Sequence, residues 1–500
     1  MIDTEVLVVG GGLAGLGAAH YLTHRGRTVH VLERSSGPGG TWRENTYPGC
    51  ECDIHPALYS YSFTRLPSWI SGQADHHQIL RHSRLLADRI HRTARVDYDT
   101  EVTACRWNDT DARWYVHTRT GALHRARFLL LATGALNVPR IPRFAGSFAG
   151  PVLHTARWNH DLDLRGARVG VIGTGASAAQ LVPALTDHAC RVTVFQRTPA
   201  WVLPRPRTRV PLPYRARRTV EYWRNETLLP ALIGSQRRRT ALEARALRHL
   251  HAQIPDPVLR RALTPSYRIG CKRIIFSNTF YPALRRPTTI LKTSPITELA
   301  ADAVHTADGR RHEIDVLVHA TGFHVSAALM RMPVHGRNGI SLQEIWARDG
   351  AAAHLGTTMA GIPNAFVLGG PNTGVGHTSV LFMLESQFRY IAAALEETDR
   401  IGADALVVRE QAQHRFTTRI HHDSAATTWT RGGCHSWYLD REGINRSLWP
   451  GPTWRYRLHT RTFDLHNYTS IRASAGDSDG VDPVEPGHQR TGTSTATTFD

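Results

Sequence analysis

The sequence predicts an α/β protein built on two Rossmann-type dinucleotide-binding domains, one for FAD and one for NADP, the FAD domain discontinuous and the NADP domain carrying a helical insertion. Three observations carry this. Residues 5–35 read as strand, glycine turn, helix and strand: EVLVVGG, GLAGLGAAHYLTHRG and TVHVLER. The order recurs at 168–197 as ARVGVIGTG, ASAAQLVPALTDHA and CRVTVFQR. Each unit is followed by an apolar strand closing in ATG, FLLLATG ending at Gly134 and DVLVHATG ending at Gly322.

Domain limits follow from composition. The paired prolines of VPRIPRF favour an extended connector, which sets a first flavin segment at 1–142. The NADP domain is expected over 143–322, with the helical insertion at about 207–263. The stretch after the second ATG, with GGPNTG and the helix-like FMLESQFRYIAAAL, returns to the flavin domain over 323–470. Residues 471–500 hold almost no large apolar side chains and are expected to be disordered.

Bulk properties narrow the class. At 500 residues and 41% hydrophobic content the chain can bury more than one core around a large cofactor. Apolar runs such as Phe128–Ala132 are strand-length, well short of the roughly 20 residues of a membrane span. With no basic leader before the first strand, a cytoplasmic location is expected. The net charge of +18 raises nucleic-acid binding, but Lys272 and Lys292 are the only lysines, and such arginine bias reads as composition. The arginines from 205 to 261 alternate with Leu and Ala near helical spacing and read as solvated helix faces. Neither nucleic acid nor membrane is expected as a partner. Six scattered cysteines make no disulfide framework and no zinc pattern; buried, reduced thiols and no metal are expected.

Gly10, Gly12 and Gly15 form GxGxxG between strand and helix, where glycine allows a tight turn and close approach of a pyrophosphate to helix N–H groups. Glu33 ends the next strand, placed to accept hydrogen bonds from ribose hydroxyls and to repel a 2′-phosphate. This first site therefore favours FAD or NAD(H), and its N-terminal position favours FAD. In the second, Gly173, Gly175 and Ala178 form GxGxxA, and the strand ends in Arg197, whose guanidinium suits the 2′-phosphate of NADPH. Opposite charges at the two ribose positions imply electron flow from NADPH to flavin. A disulfide reductase would need a reactive cysteine in the turn occupied here by Gly39-Gly40-Thr41-Trp42.

Phe148, Gly150, His154 and Trp158 fit FxGxxxHxxxW just before the second glycine turn, and this resembles the fingerprint of the type I Baeyer–Villiger monooxygenases. Asn159 follows the Trp where that family usually has Pro or Asp. The similarity runs on through YPGCECD, GCKRIIFSN, GGPNTGVGH, SWYLD and LWPGPTWRYR. It implies an FAD enzyme that consumes NADPH and O₂ and, through a C4a-peroxyflavin, inserts one oxygen atom beside a ketone carbonyl to give an ester or lactone, on a substrate such as a natural-product intermediate. By the same resemblance Lys272 helps hold the 2′-phosphate, Arg273 stabilises the peroxide anion, and Asp53 holds Arg273 in place. Further cofactor contacts are expected from Arg34, Gly40, Thr41, Trp42, Tyr59, Val102, Thr133 and Gly134 for FAD, and from Thr174, Ala176, Ser177, Gln180 and Thr198 for NADP. Glu51, His55 and Pro56 depart from the commonest family pattern beside Asp53. An N- or S-oxidising flavin monooxygenase would share every cofactor motif, and an NADPH-dependent flavin dehydrogenase or reductase stands as a further alternative.

Overall fold

Two parallel-cored sheets organise the molecule. The computed structural model describes residues 1–64, 74–188, 190–205, 212–325 and 327–473. In the larger sheet, strand Ile2–Val9 lies between Val29–Leu32 and Leu123–Leu131, parallel to both, with Val6 opposite Val29 and Phe128. The sheet continues through Arg95–Asp97 on one side and antiparallel through Arg113–Thr118 and Val102–Asn108 on the other. Both faces of its centre are covered, which explains the unbroken apolar runs. Val6, Val8, Phe128 and Leu130 pack with Leu16 and Leu22 of the helix Leu13–Thr23. Leu7, Val9, Leu129 and Leu131 pack with Trp114 on the opposite face. Each such side chain contributes about 1.5–3 kcal/mol by leaving water.

Strand Ile362–Val367 joins this sheet parallel to Leu123–Leu131, with Ala365 opposite Leu129, so segments from both ends of the chain share it. The helix Val380–Arg400, capped by Ser379 through the backbone N–H of Leu381, packs against the first core.

The second sheet is wholly parallel, in the order Thr289–Lys292, Arg191–Phe195, Arg168–Ile172, Val316–His319, Val152–His154. Helix Ala176–Asp187 covers it through Ala178, Leu181, Val182 and Leu185. Tyr47 and Cys50, from the segment after the first dinucleotide unit, are buried in this second core. That plug fixes the segment carrying Asp53 against the second sheet.

Helices Tyr214–Glu226, Leu229–Ile233, Gln236–Gln253 and Pro257–Ala262 lie within the stretch read as an insertion. Ser235 caps the third by accepting from Arg238 N, and Asp256 caps the fourth by accepting from Val258 N and Leu259 N. The reading of this region as solvated faces needs correction. Arg217, Glu221 and Glu226 are buried, and Arg218 reaches Glu385 of the long helix at 3.3 Å. A composition bias toward arginine hides which of these cations turn inward to a carboxylate, because pairing is set by tertiary contact and not by helical spacing.

The cysteines also differ from expectation. Cys50, Cys52, Cys105 and Cys190 are buried free thiols, but Cys271 and Cys434 form a disulfide across 163 residues. Nothing in the spacing announces a bridge between such distant positions. The disordered tail expected at 471–500 lies outside the described residues except for 471–473, of which Ile471 is paired with Ala405 at the end of strand Tyr468–Ile471.

Candidate active site

The first glycine turn is sterically committed. Gly10 has φ +112°, and a Cβ there would lie 2.5 Å from the carbonyl oxygen of Ala132. At Gly15 a Cβ would sit 1.9 Å from the Gly10 oxygen, so the helix can approach the strand only with glycine. Gly12, by contrast, has only the Gly40 Cα nearby, at 3.7 Å, and opens the helix N-terminus toward the turn at 39–40. Gly39 N–H donates to the Gly11 oxygen at 3.0 Å and Gly40 precedes the short helix Thr41–Glu44, which brings Gly40, Thr41 and Trp42 beside the glycine turn. Glu33 is buried and accepts from Gly11 N at 2.5 Å and from Ser35 N at 2.8 Å, which fixes its carboxylate at the end of the strand.

Trp42 donates its indole N–H to the Tyr59 hydroxyl at 3.0 Å, edge-on to that ring, and burial raises the Tyr59 pKa. Thr133 and Gly134 follow the strand next to the glycine turn; Thr133 O accepts from Asn137 Nδ2 at 2.6 Å and Gly134 has φ +74°. Val102 opens the antiparallel strand opposite Thr118. Arg34 pairs with Glu44 at 2.6 Å, and Glu44 also receives Arg157 at 3.2 Å. These three residues and Trp158 line an open cleft of about 500 Å³ between the two sheets.

The second turn repeats the geometry. Gly173 has φ +114° with the Ala320 oxygen 2.5 Å from a notional Cβ, while at Gly175 no atom of the described residues comes within 4 Å. The space over the helix beginning at Ala176 and Ser177 is therefore open, as an approaching pyrophosphate requires. Thr174 Oγ1 donates to the Thr198 carbonyl at 3.0 Å. Lys272 Nζ donates to Thr198 Oγ1 at 2.6 Å, beside the exposed Arg197. Burial, and then the Arg197 charge, lower the Lys272 pKa below the usual lysine range. Two neighbouring cations, neither in an ion pair with an acid among the described residues, suit a phosphate. Gln180 links the units: it donates to Glu51 O at 2.9 Å and accepts from Tyr47 OH at 2.6 Å.

Arg273 meets Asp53 across 220 residues. Its Nε donates to Oδ2 at 2.9 Å and its Nη2 lies 2.7 Å from both carboxylate oxygens. The carboxylate raises the arginine pKa further, so the guanidinium is cationic at any working pH. Arg205 also pairs with Glu51, next to the Cys52 backbone. Tyr438, buried, lies within electrostatic reach of Arg273 and Asp53; burial pushes its phenol up to about 12. Sequence reading did not assign Tyr438, because SWYLD gives no sign of which element it faces.

The fingerprint residues are spread around the second sheet. His154 Nδ1 accepts from Ala156 N at 3.1 Å, which leaves Nε2 to donate to the Gly322 oxygen at 3.1 Å, at the second ATG turn. Burial lowers the pKa of this imidazole. A Cβ on Gly150 would meet Asp315 O at 2.8 Å, Phe148 packs on the cluster around Ile314, and Trp158 packs on the second core. No cluster of three or more His, Cys, Asp or Glu suited to a metal occurs among the described residues, and no helix is long and apolar enough to cross a membrane.

Comparison with known proteins agrees with this geometry. The NAD(P)-binding Rossmann-like domain family matches residues 8–70, and the L-lysine 6-monooxygenase/L-ornithine 5-monooxygenase family matches residues 86–325. A Baeyer–Villiger monooxygenase from Streptomyces coelicolor is 41% identical, over 94% of this chain and 93% of its own. The structure of an oxidised steroid monooxygenase bound to NADP superposes with a TM-score of 0.83 at 28% identity, covering 94% of this chain and 100% of the other. That of OTEMO in complex with FAD and NADP gives 0.82 at 25% identity, over 93% and 99%.

Proposed function

This chain belongs to the Baeyer–Villiger monooxygenases, and from that membership we propose that Arg273 is the cation of its reaction centre, with Asp53 as the residue that positions it. The enzyme uses FAD and NADPH and turns a ketone into an ester or lactone. Bound FAD supplies the redox chemistry, taking hydride from NADPH and delivering activated oxygen to the substrate.

The chain's own residues have three tasks. The turn at Gly10, Gly12 and Gly15, with Glu33, Gly40, Thr41 and Trp42, holds the flavin nucleotide; the open helix end at Gly175 with Arg197, Thr198 and Lys272 holds NADPH by its phosphates. Arg273 provides a permanent positive charge where negative charge develops on oxygen, and Asp53 keeps that charge from swinging away. Buried Tyr438 and the Trp42–Tyr59 pair exclude water around it.

The observation that carries this reading is the two-pronged Arg273–Asp53 contact, formed by segments from different units. A cation favours the deprotonated, nucleophilic form of the oxidant, which attacks a carbonyl carbon; heteroatom oxidation needs no such charge. The test is Arg273→Ala with a cyclic ketone and a sulfide offered together. FAD content should match wild type while ester yield falls on the order of 10²-fold or more. Ester yield within about twofold of wild type would remove Arg273 from the role.

A further inference from the structure

The disulfide Cys271–Cys434 ends one residue before Lys272 and two before Arg273. Its other end lies in the loop after helix Thr428–Arg431, and that loop is anchored on the flavin side. Arg446 N–H donates to Tyr438 O at 3.3 Å, Gly374 N–H to Ser447 O at 2.9 Å, and Asn372 Nδ2 to Asn445 O at 2.8 Å. Arg273 thus has two ties to the flavin side, the exchangeable ion pair with Asp53 and a covalent link two residues away. The contact around the link is close: a Cβ on Gly432 would lie 2.5 Å from Cys271 Cβ and 2.7 Å from its sulfur. Arg268 N–H donates to Gly432 O at 2.9 Å beside it. Cys434 is only half-buried, between exposed Gly433 and exposed His435, so a small thiol can reach it.

We propose that Cys271–Cys434 is a thiol-addressable staple that positions Arg273. Two residues span at most about 7 Å of chain, so the closed bridge limits how far the guanidinium can withdraw from Asp53. Opening it takes a dithiol: the S–S bond breaks, two electrons and two protons pass to the cysteines, and the dithiol closes to its own disulfide. With the bridge open only the ion pair holds Arg273, and an ion pair, unlike a covalent bridge, can part and re-form. NADPH, a proton and O₂ then leave as NADP⁺ and hydrogen peroxide in place of ester. The inference rests on the role proposed for Arg273.

The experiment uses the full-length, FAD-loaded enzyme. Mass spectrometry of a non-reducing digest should show the peptides of Cys271 and Cys434 joined, and dithiothreitol should separate them. Hydrogen exchange over 268–276 should quicken on reduction. The ratio of hydrogen peroxide to ester should rise on the order of tenfold, with the rate of flavin reduction by NADPH changed far less. Reoxidation should restore the ratio, and Cys434→Ser should show the raised ratio without any response to dithiothreitol. Absence of the joined peptide, or an unchanged ratio in fully reduced wild type, would overturn the staple. Arg273→Ala run alongside separates the two ideas: if it loses ester while reduction of wild type changes nothing, only the staple falls. Wild-type ester from Arg273→Ala would remove both.

Discussion

Lys272 Nζ lies 2.6 Å from Thr198 Oγ1, a contact between residues 74 apart in the chain. Thr198 directly follows Arg197 at the end of its strand, so one short bond places both cations at the strand end where a 2′-phosphate would be read. Substituting both Arg197 and Lys272 by alanine should weaken NADPH by about 1–3 kcal/mol per lost contact, with NADH little changed. Titration of NADP⁺ and NAD⁺ against the flavin signal measures this, and equal losses for the two nucleotides would count against it. The lysine adds a pH dependence. Its pKa is lowered by burial and by Arg197, and only its protonated form attracts phosphate. NADPH affinity should therefore fall as pH rises through a value below that of a free lysine, and the fall should vanish in Lys272→Ala.

The two glycine turns give a prediction of opposite kinds. Gly15→Ala forces a Cβ to 1.9 Å from backbone and should cost the fold and the bound flavin together. Gly175→Ala meets nothing within 4 Å, so the apoprotein should keep its melting temperature while NADP⁺ binding weakens as the methyl enters the pyrophosphate space. Equal melting losses in both variants would contradict the distinction.

How far the sequence speaks depends on whether a feature is local. The strand, turn and helix around Gly10 and Gly173 are read directly because glycine spacing and apolar runs are local causes. Glu33 and Arg197 follow in position, since each lies just past a strand whose register is set by its own pattern. Meetings across the chain are different. Asp53 with Arg273 was expected only through family resemblance, and Tyr438 and Cys434 had no local sign at all, because their neighbours come from folding distant segments together. The inward turn of Arg217 and Arg218 was hidden for the same reason.

Asp53→Asn separates positioning from proton transfer. The amide keeps the shape of the carboxylate but removes the charge that raises the Arg273 pKa and anchors its two donors. Arginine stays protonated without that help, so the ester yield should drop about 10–100-fold while the pH profile keeps its shape. Loss of one limb of the profile would mean instead that Asp53 exchanges a proton in the reaction.

Acid should destabilise the protein through three buried histidines. Burial, ahead of any charged neighbour, lowers the pKa from 6.5 to about 4 at His20, His82 and His319. A histidine harder to protonate when folded than when unfolded binds fewer protons in the native state, so stability rises with pH across that interval and is fully present above 6.5. Each contributes on the order of 1–3 kcal/mol, lost as pH falls toward 4. Melting temperature should be level near neutral pH and decline steadily from about pH 6.5 downward. His319→Gln removes one titrating ring whose Nδ1 has no hydrogen-bond partner among the described residues, and its acid decline should be shallower than that of wild type. Parallel curves for the two proteins would mean that the acid sensitivity arises from other groups, such as the paired carboxylates, whose protonation at lower pH breaks their contacts with arginine.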